Sequence, residues 1–360
     1  MSHADAPPVG PARYPSGTPT VERLNELFAT RLEAARVVSV REEPIGTGQM
    51  SESRRLHLTY SGPSSMPPTL IAKFPSGDEK SRAAGKATRC YEVESSFYRD
   101  LHGALDVGAP TCFHVERNEE TDDFLLLLED LAPCRQGDQL EGCSPDEAGA
   151  CVDELVKLHG PLWNSPFLGR LGWLNRSTSR ERSGSRALLQ SVYPSFVERY
   201  HDRLEPSTYR LVERFVHDPG TYFHRELPHR TVVHGDFRLD NLLFRNGGVG
   251  VVDFQTVTHA CGVQDLAYFL GAGLSVDDRR VHERDLVRRW VDGLSGYGVS
   301  IAVDAAWDEY RAFAFAGVVM SVVASMLVQR TPRGDEMFLA MAHRHAQHAI
   351  DLDSLDAVQS

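Results

Sequence analysis

Residues 232–255 read VVHGDFRLDNLLFRNGGVGVVDFQ, which is the pattern of a β-hairpin with polar residues at its open end. Two apolar runs flank Asn246-Gly247, and this dipeptide is a strong signal for a tight turn between antiparallel strands. Folding about the turn places Asn241 and Asp253, each six residues from Gly247, roughly opposite one another. Amide and carboxylate oxygens suit a hard cation, so the pattern predicts that these two residues bind Mg²⁺.

Asp236 lies five residues before Asn241 and follows Gly235, which permits a close backbone approach or an unusual φ. A carboxylate that lies beside a metal without coordinating it is suited to accept or orient a hydroxyl proton during phosphoryl transfer. Taken singly, Asp236 could cap a turn, Asp240 could face solvent and Asn241 could be an ordinary turn residue. Their order and spacing favour the functional interpretation, in which Asp236 is the catalytic base.

The motif His234-Gly235-Asp236, followed by Asn241 and, after the hairpin, by Asp253-Phe254, resembles a known family. It is similar to the catalytic and metal-binding segments of the aminoglycoside phosphotransferase and choline kinase side of the kinase-like superfamily. The segment DLAYFL at 265–270 resembles the helix start that follows the metal-binding Asp in the phosphotransferase and ecdysteroid kinase-like branches, where its Asp is structural. The resemblance implies a kinase-like fold, ATP or GTP as phosphoryl donor, and Mg²⁺.

The first part of the chain carries further elements of this resemblance. Gly46, Gly48 and Ser51 form a glycine-rich pattern that matches a loop covering phosphates, with Ser51 in place of the third glycine. Lys73 interrupts an otherwise apolar strand and therefore needs a partner, for which Glu94 is the best candidate and Glu92 the alternative. The resemblance implies that Lys73, oriented by a helix Glu, contacts the α- and β-phosphates of the nucleotide.

The segment from Glu129 to Leu131 joins the strand-rich and helix-rich parts of the chain. From the residues alone it is a plain linker. The resemblance implies instead a hinge against which adenine binds, through the carbonyl of Glu129 and the N–H of Leu131. Both residues are therefore candidate nucleotide-binding positions.

Three features favour a small-molecule hydroxyl over a peptide as acceptor. Gly235 stands where protein kinases usually carry Arg, Gln255 replaces the glycine that follows Asp-Phe, and residues 254–264 are too short for an activation loop. Two alternatives stay open: a nucleotide-binding regulatory protein that has lost turnover, and a protein kinase. The sequence leaves the acceptor and the oligomeric state undetermined.

The composition excludes several other classes of protein. The 360 residues carry a net charge of −12 without a long basic run, which disfavours nucleic acid as a partner. The six cysteines show no C-x-x-C pair and the N-terminus shows no apolar signal region, so the expected location is the cytoplasm. Residues 312–328 are uncharged, but their Ala, Gly and Ser content favours a buried helix over a membrane span.

The coarse pattern along the chain predicts an α+β, two-lobed, protein-kinase-like fold. A small N-terminal lobe holds an antiparallel sheet with one helix, and a larger C-terminal lobe is mainly helical. The predicted divisions are a disordered tail (1–17), a nucleotide-binding lobe with a leading helix (18–130), and a catalytic and substrate-binding lobe (131–360). The predicted strands of the first lobe are 37–40, 54–60, 69–74, 112–116 and 124–128, and its helix is 91–101.

Two polar segments allow alternative interpretations. Residues 175–186 (NRSTSRERSGSR) are predicted to be a solvated loop, or alternatively a lid over an anionic group. His343, His345 and His348 invite a metal site, but a solvated helix face is favoured because no carboxylate or Cys lies at ligand spacing.

Overall fold

The computed structural model describes residues 17–46 and 50–359. The predicted disordered tail therefore lies outside the described residues, apart from Gly17. The chain divides into two compact units. The first comprises the described residues up to Leu101 together with Pro110–Leu131, and the second comprises His102–Ala109 and the chain from Ala132 onwards.

The first unit contains an antiparallel sheet and three α-helices. Its elements are α1 (Val21–Leu27), β1 (Val37–Ile45), β2 (Ser51–Tyr60), β3 (Thr69–Pro75), α2 (Glu79–Ala87), α3 (Cys90–Ser96), β4 (Cys112–Arg117) and β5 (Phe124–Glu129). The five strands pair in the order β1-β2-β3-β5-β4. Leu56, Leu70 and Leu127 from three of these strands pack with Leu24 and Phe28 in one core. Every strand predicted for this unit is present.

The second unit is mainly helical. Its elements are β6 (Arg135–Gln136), α4 (Pro145–His159), β7 (Asn175–Arg176), α5 (Ser179–Tyr200), α6 (Pro206–His217), β8 (Thr231–Val233), β9 (Leu242–Arg245), β10 (Gly248–Val251), β11 (Thr258–Ala260), α7 (Val263–Gly273), α8 (Val276–Ser295), α9 (Val303–Phe313), α10 (Ala316–Leu327), α11 (Pro332–Asp351) and α12 (Ser354–Gln359). The short strands form two three-stranded sheets, β10-β9-β6 and β7-β11-β8. The predicted α+β fold class is thus confirmed.

Helix α2 corrects the expectation of a single helix within the strand-rich part. It begins at the N-cap Asp78, whose side chain accepts a hydrogen bond from the Ser81 N–H at 2.8 Å. Its only buried residue among nine is Gly85, so it lacks the apolar stripe by which a helix is detected. The predicted helix at 91–101 is present as α3 and a π-helical turn that continues to Leu101.

The prediction of a loop over 175–186 is wrong. Residues 175–176 form β7, and α5 begins at Ser179 after a capping box in which Thr178 and Glu181 bond each other's backbone N–H groups. The first turns of α5 are polar because they are exposed. The apolar positions that bury the helix come later, at Leu189, Tyr193 and Phe196.

The apolar stretch around 312–328 lies in two helices rather than one. Val303–Leu327, which comprises α9 and α10, is the one stretch among the described residues long and apolar enough to cross a membrane, and more than half of its most apolar window is buried. Helix α10 packs against α5 and α11 of the same unit. This packing is that of a core helix, as expected from its small residues.

The expectation of a solvated face is wrong for His345 and His348 on α11, because both side chains are fully buried. His345 stacks on Tyr268 of α7, with ring centroids 5.5 Å apart. Gly271 and Gly317 make room for its ring, since a Cβ at either position would lie within 2.4 Å of the imidazole. The glycines that admit the ring lie on other helices, so the sequence pattern of α11 does not reveal the burial.

The burial of His345 and His348 predicts that the protein becomes less stable as the pH falls. Burial, with Arg279 and Arg344 nearby, lowers the pKa of His345 to about 3, and burial also lowers the pKa of His348 well below its usual value. Below pH 6.5 the unfolded chain binds protons at these positions that the folded chain does not, so the free energy of unfolding falls as the pH falls. For His345, whose pKa in the folded chain is about 3, the loss from pH 7 to 5 is about 2 kcal/mol.

The measurement is urea unfolding at several pH values. His345→Gln should reduce the slope of stability against pH in this window, whatever its effect on absolute stability, whereas His224→Gln, at an exposed position, should leave the slope unchanged. An unaltered slope in His345→Gln would contradict the prediction.

Candidate functional site

The site in the second unit begins with a buried carboxylate on the first turn of α7. Asp265 is 1% exposed, and its two oxygens accept the backbone N–H groups of His234, at 2.6 Å, and Gly235, at 3.0 Å. Nε2 of His159 lies 3.3 Å from the same carboxylate. Because Trp290 donates its indole N–H to His159 Nδ1 at 3.1 Å, the remaining proton of a neutral His159 is on Nε2 and faces Asp265.

Gly235 is required at its position by both conformation and space. Its φ is +81°, and a Cβ there would lie 2.7 Å from the carbonyl oxygen of Thr256. Thr256 in turn donates its hydroxyl to the carbonyl of His234 at 2.8 Å. The close approach therefore fixes the backbone that leads into Asp236.

Three donors hold the carboxylate of Asp236. The Tyr268 hydroxyl donates to Oδ1 at 2.9 Å, while Arg238 Nε and Asn241 Nδ2 each donate to Oδ2 at 3.1 Å. Asn241 Nδ2 also donates to the Asp236 carbonyl at 2.9 Å. The side chain of Asp236 is partly exposed, so an oriented carboxylate is presented to solvent.

The surroundings of Asp236 are strongly polarised. Burial raises the pKa of Tyr268 well above its usual value, and the charge of Asp236 adds to this effect, so the hydroxyl remains a donor. Burial alone would lower the pKa of Arg238, but the carboxylates of Asp236 and Asp240 outweigh it and raise the pKa. Arg238 is therefore a permanent cation, and it forms ion pairs with the carboxylates of both Asp236 and Asp240.

The hairpin places Asn241 and Asp253 one residue out of the predicted register. Strands β9 and β10 pair Leu242 with Val251, so Asn241 faces Val252, whose N–H donates to the Asn241 carbonyl at 3.0 Å. The centre of the turn lies between Asn246 and Gly247 rather than at Gly247, which shifts the pairing by one residue. Asp253 comes one residue later, in a left-handed conformation with φ +70°.

The donor set of these two residues fits a magnesium ion. Asn241 is 6% exposed and uses its Nδ2 in the hydrogen bonds to Asp236, so Oδ1 is the end of the amide available to a cation. Asp253 supplies a carboxylate, and Gln255 Nε2 donates to its Oδ2 at 3.2 Å. Both ligands are hard oxygen donors, the kind that Mg²⁺ prefers.

In the first unit, Lys73 Nζ lies 2.7 Å from Glu94 Oε1. Lys73 is 9% exposed on β3 and Glu94 is 2% exposed on α3, so this is a buried ion pair. It is the pairing that the sequence favoured. Glu92, the alternative, instead accepts a hydrogen bond from Arg89 at 2.7 Å. Removing one partner of such a pair would leave an uncompensated buried charge. Strand β3 and helix α3 must therefore pack in a way that keeps the two side chains together.

The glycine-rich segment follows β1. Gly46 has φ +70°, with nothing within 4 Å of an added Cβ, while Gly48 lies outside the described residues. Ser51 is 5% exposed and begins β2, where it pairs with Pro75. Strands β1 and β2 are antiparallel, and their pairing extends to Ile45 and Ser53.

The predicted hinge residues lie at the end of β5. Glu129 accepts hydrogen bonds from the N–H and hydroxyl of Thr111, at 3.1 and 2.8 Å, and Leu131 is 6% exposed. Between them, Asp130 accepts two hydrogen bonds from Arg55, at 2.7 and 3.2 Å. The first unit ends at Leu131.

Sequence reasoning missed several residues that position Asp236. Tyr268 is the clearest, and it could have been found because it follows Asp265 by three residues on α7 and so shares its face. Gln139 gave no signal, although its side chain accepts the Leu239 N–H at 3.0 Å and donates to the Ala272 carbonyl at 2.9 Å.

Replacing Asp265 tests the anchoring of this segment. Asp265→Asn removes the charge and turns one acceptor into a donor that faces a backbone N–H or His159, so the free energy of unfolding should fall by about 1–3 kcal/mol. Asp285→Asn, the same change at an exposed position of α8, should shift it by less than about 0.5 kcal/mol. Urea unfolding of both variants provides the measurement, and equal losses would contradict the anchoring role.

The sequence matches the phosphotransferase enzyme family over residues 51–313, which is most of the chain. The comparison with curated proteins finds no match.

Several solved structures share the fold. A choline kinase from Cryptosporidium parvum Iowa II is 10% identical, with coverage of 94% of this chain and 98% of that chain and a TM-score of 0.61. The GDP complex of wild-type aminoglycoside 2'-phosphotransferase-IIIa is 14% identical, with coverage of 91% and 98% and a TM-score of 0.54. The GDP and kanamycin complex of APH(2")-IIia is 13% identical, with coverage of 89% and 97% and a TM-score of 0.54. The fold is therefore the predicted kinase-like one, and the chain belongs to the phosphotransferase enzyme family.

Proposed function

We propose that the protein transfers the γ-phosphoryl group of ATP or GTP to a hydroxyl group of a small molecule. The observation that carries the proposal is the carboxylate of Asp236, held by Tyr268, Arg238 and Asn241 on a segment whose backbone is fixed by Asp265. A carboxylate oriented in this way, with Asn241 hydrogen-bonded to it as a candidate oxygen ligand for a cation, suits phosphoryl transfer to an alcohol.

Asp236 acts as the proton acceptor in this proposal. The acceptor hydroxyl binds against its carboxylate and gives up its proton to it, the hydroxyl oxygen forms a bond to the γ-phosphorus, and the nucleoside diphosphate leaves. The three hydrogen bonds to the carboxylate fix its direction. Part of the entropy loss needed to orient the reacting groups has therefore already occurred before the substrate binds.

The first unit supplies the nucleotide contacts. Lys73, oriented by Glu94, donates to the α- and β-phosphates, and the backbone of the segment that contains Gly46, Gly48 and Ser51 covers them. The carbonyl of Glu129 and the N–H of Leu131 bond the base. Two of the solved structures described above are GDP complexes, which supports GTP as an alternative to ATP.

Asn241 and Asp253 hold Mg²⁺ in this proposal. The ion supplies positive charge that neutralises the phosphate oxygens during transfer. The residues of the chain orient the ligands: Asn241 through its hydrogen bonds to Asp236, and Asp253 through its left-handed backbone and its bond from Gln255.

The acceptor is proposed by class only. A net charge of −12 is compatible with a cationic amino alcohol or aminoglycoside, but a charge spread along the whole chain does not select one acceptor. The six cysteines are free thiols, which suits a reducing compartment, and we propose the cytoplasm as the location.

Asp236→Asn tests the catalytic role. The substitution keeps the size of the side chain but removes its capacity to accept a proton, so turnover should fall about 10²- to 10⁴-fold while nucleotide binding persists. The measurement is release of the nucleoside diphosphate across a panel of amino alcohols, aminoglycosides and sugars. Asp202→Asn, at a fully exposed position, should keep full turnover. Nucleotide binding without turnover in the unmodified protein would favour the regulatory alternative.

Asp253→Asn tests the metal–nucleotide site. At a Mg·ATP concentration about 100 times the dissociation constant, the unmodified protein should gain about 2.7 kcal/mol of stability, which raises its melting temperature by a few degrees. Asp253→Asn should gain much less because one oxygen ligand has lost its charge. The measurement is thermal unfolding with and without nucleotide. An equal gain in both proteins would contradict the role of Asp253, and no gain with either ATP or GTP would contradict the nucleotide site.

A further inference from the structure

A second group of metal-ligand side chains lies in the second unit and takes no part in the proposed reaction. His229 Nε2 is 3.2 Å from Cys261 Sγ and 3.2 Å from Glu309 Oε2, and Cys261 Sγ is 3.4 Å from Glu309 Oε2. His229 is 8% exposed and Cys261 is 0% exposed. One nitrogen, one sulfur and one oxygen therefore meet at a largely buried point.

The spacing of these three atoms is that of ligands around a tetrahedral ion. Zinc binds His nitrogen, carboxylate oxygen and Cys sulfur at about 2.0 to 2.3 Å, and tetrahedral angles then separate the ligand atoms by about 3.3 to 3.6 Å. The observed separations of 3.2 to 3.4 Å need only a small expansion to admit the ion.

The fold brings these residues together from three separate parts of the chain. Strands β8 and β11 are antiparallel and pair Thr231 with Ala260, so His229 before β8 and Cys261 after β11 leave the sheet at the same end. Glu309 comes from α9, which packs against α7. Trp163 stacks on the His229 ring with centroids 4.4 Å apart and fixes its plane.

We propose that His229, Cys261 and Glu309 form a zinc site with a fourth position for water. On binding, Cys261 releases its thiol proton to solvent and coordinates as a thiolate, and His229 coordinates through Nε2. The thiolate and the Glu309 carboxylate then balance the two positive charges of the ion. Sulfur and nitrogen ligands select zinc over magnesium.

A cysteine, a histidine and a carboxylate can also form a catalytic arrangement, in which the histidine is the base that activates the cysteine thiol as a nucleophile. The position of Cys261 argues against that role, because its side chain is 0% exposed and offers no surface to a substrate. The zinc site is instead a structural clamp. It ties α9 to the ends of β8 and β11, and β8 leads directly into the segment that carries Asp236.

Metal content provides the first test. Untagged full-length protein is produced with added zinc, dialysed against metal-free buffer and measured by mass spectrometry of the elements. We expect about one zinc per chain in the unmodified protein and close to none in Cys261→Ser and His229→Ala. Cys151→Ser is the matched control, because Cys151 is also fully buried in the second unit but is not part of the cluster. An unmodified protein without zinc, or a Cys261→Ser variant that keeps it, would overturn the proposal.

A spectroscopic test covers the case in which a variant fails to fold. Cobalt added to the zinc-free unmodified protein should give a thiolate-to-cobalt charge-transfer band and the intense visible bands of a tetrahedral ion, and Cys151→Ser should give the same spectrum. Absence of the charge-transfer band would overturn the site. Asp253→Asn should keep its zinc, so a failure of the phosphotransfer proposal is distinguished from a failure of this one.

Discussion

The candidate catalytic segment depends on the hydrogen bonds that the carboxylate of Asp265 accepts. A buried carboxylate is stable only when its oxygens are hydrogen-bonded, and those of Asp265 bond two consecutive backbone N–H groups and face His159. His159 is in turn fixed by Trp290, and its carbonyl accepts the Thr231 hydroxyl at 2.5 Å. The conformation of the backbone at Gly235 therefore depends on the packing of helices α4, α7 and α8 against one another. The geometry of Asp236 follows from this packing.

In the first unit, stabilisation of the fold does not by itself explain why Lys73 and Glu94 form a buried ion pair. The location of the two charges explains the pair better. Burying two charges costs desolvation energy that their attraction often only offsets, so an apolar pair of similar size would serve the packing of β3 against α3 equally well. The sheet already has an apolar core formed by Leu56, Leu70 and Leu127, which does not need an ion pair. The proposed contact with the phosphates of the nucleotide would give the lysine in this strand a role that packing does not.

The sequence allowed prediction of those features that depend on local patterns or on one unusual residue. The strands of the first unit followed from strand-like runs separated by turn signals, and the Lys73–Glu94 pair followed from a charge placed in an apolar strand. The register of the β9–β10 hairpin was one residue out because the count was taken from Gly247 rather than from the centre of the two-residue turn. Helix α2 and the start of α5 were missed because their polar turns carry no apolar stripe, although their caps were present.

Features that depend on contacts between distant helices could not be predicted. His345 is buried because Gly271 and Gly317 leave space for its ring, and neither glycine marks its own position as a neighbour of α11. The cluster of His229, Cys261 and Glu309 spans gaps of 32 and 48 residues, so no motif spacing reveals it. The antiparallel pairing of β8 and β11 is what joins the first two of these residues, and three-residue strands are too short to be identified from sequence.

The short strand β8 connects the two candidate metal sites of the second unit. Three residues after its end lies Asp236, beside the oxygen ligand Asn241, and two residues before its start lies His229, with sulfur and carboxylate neighbours. Hard oxygen ligands suit a magnesium ion that exchanges with the nucleotide, whereas nitrogen and sulfur ligands hold zinc firmly. Under the two proposals, a firmly held ion at one end of β8 and an exchanging ion beyond the other would share no ligand. The zinc end would then fix the strand while the proposed catalytic end binds and releases a metal–nucleotide substrate.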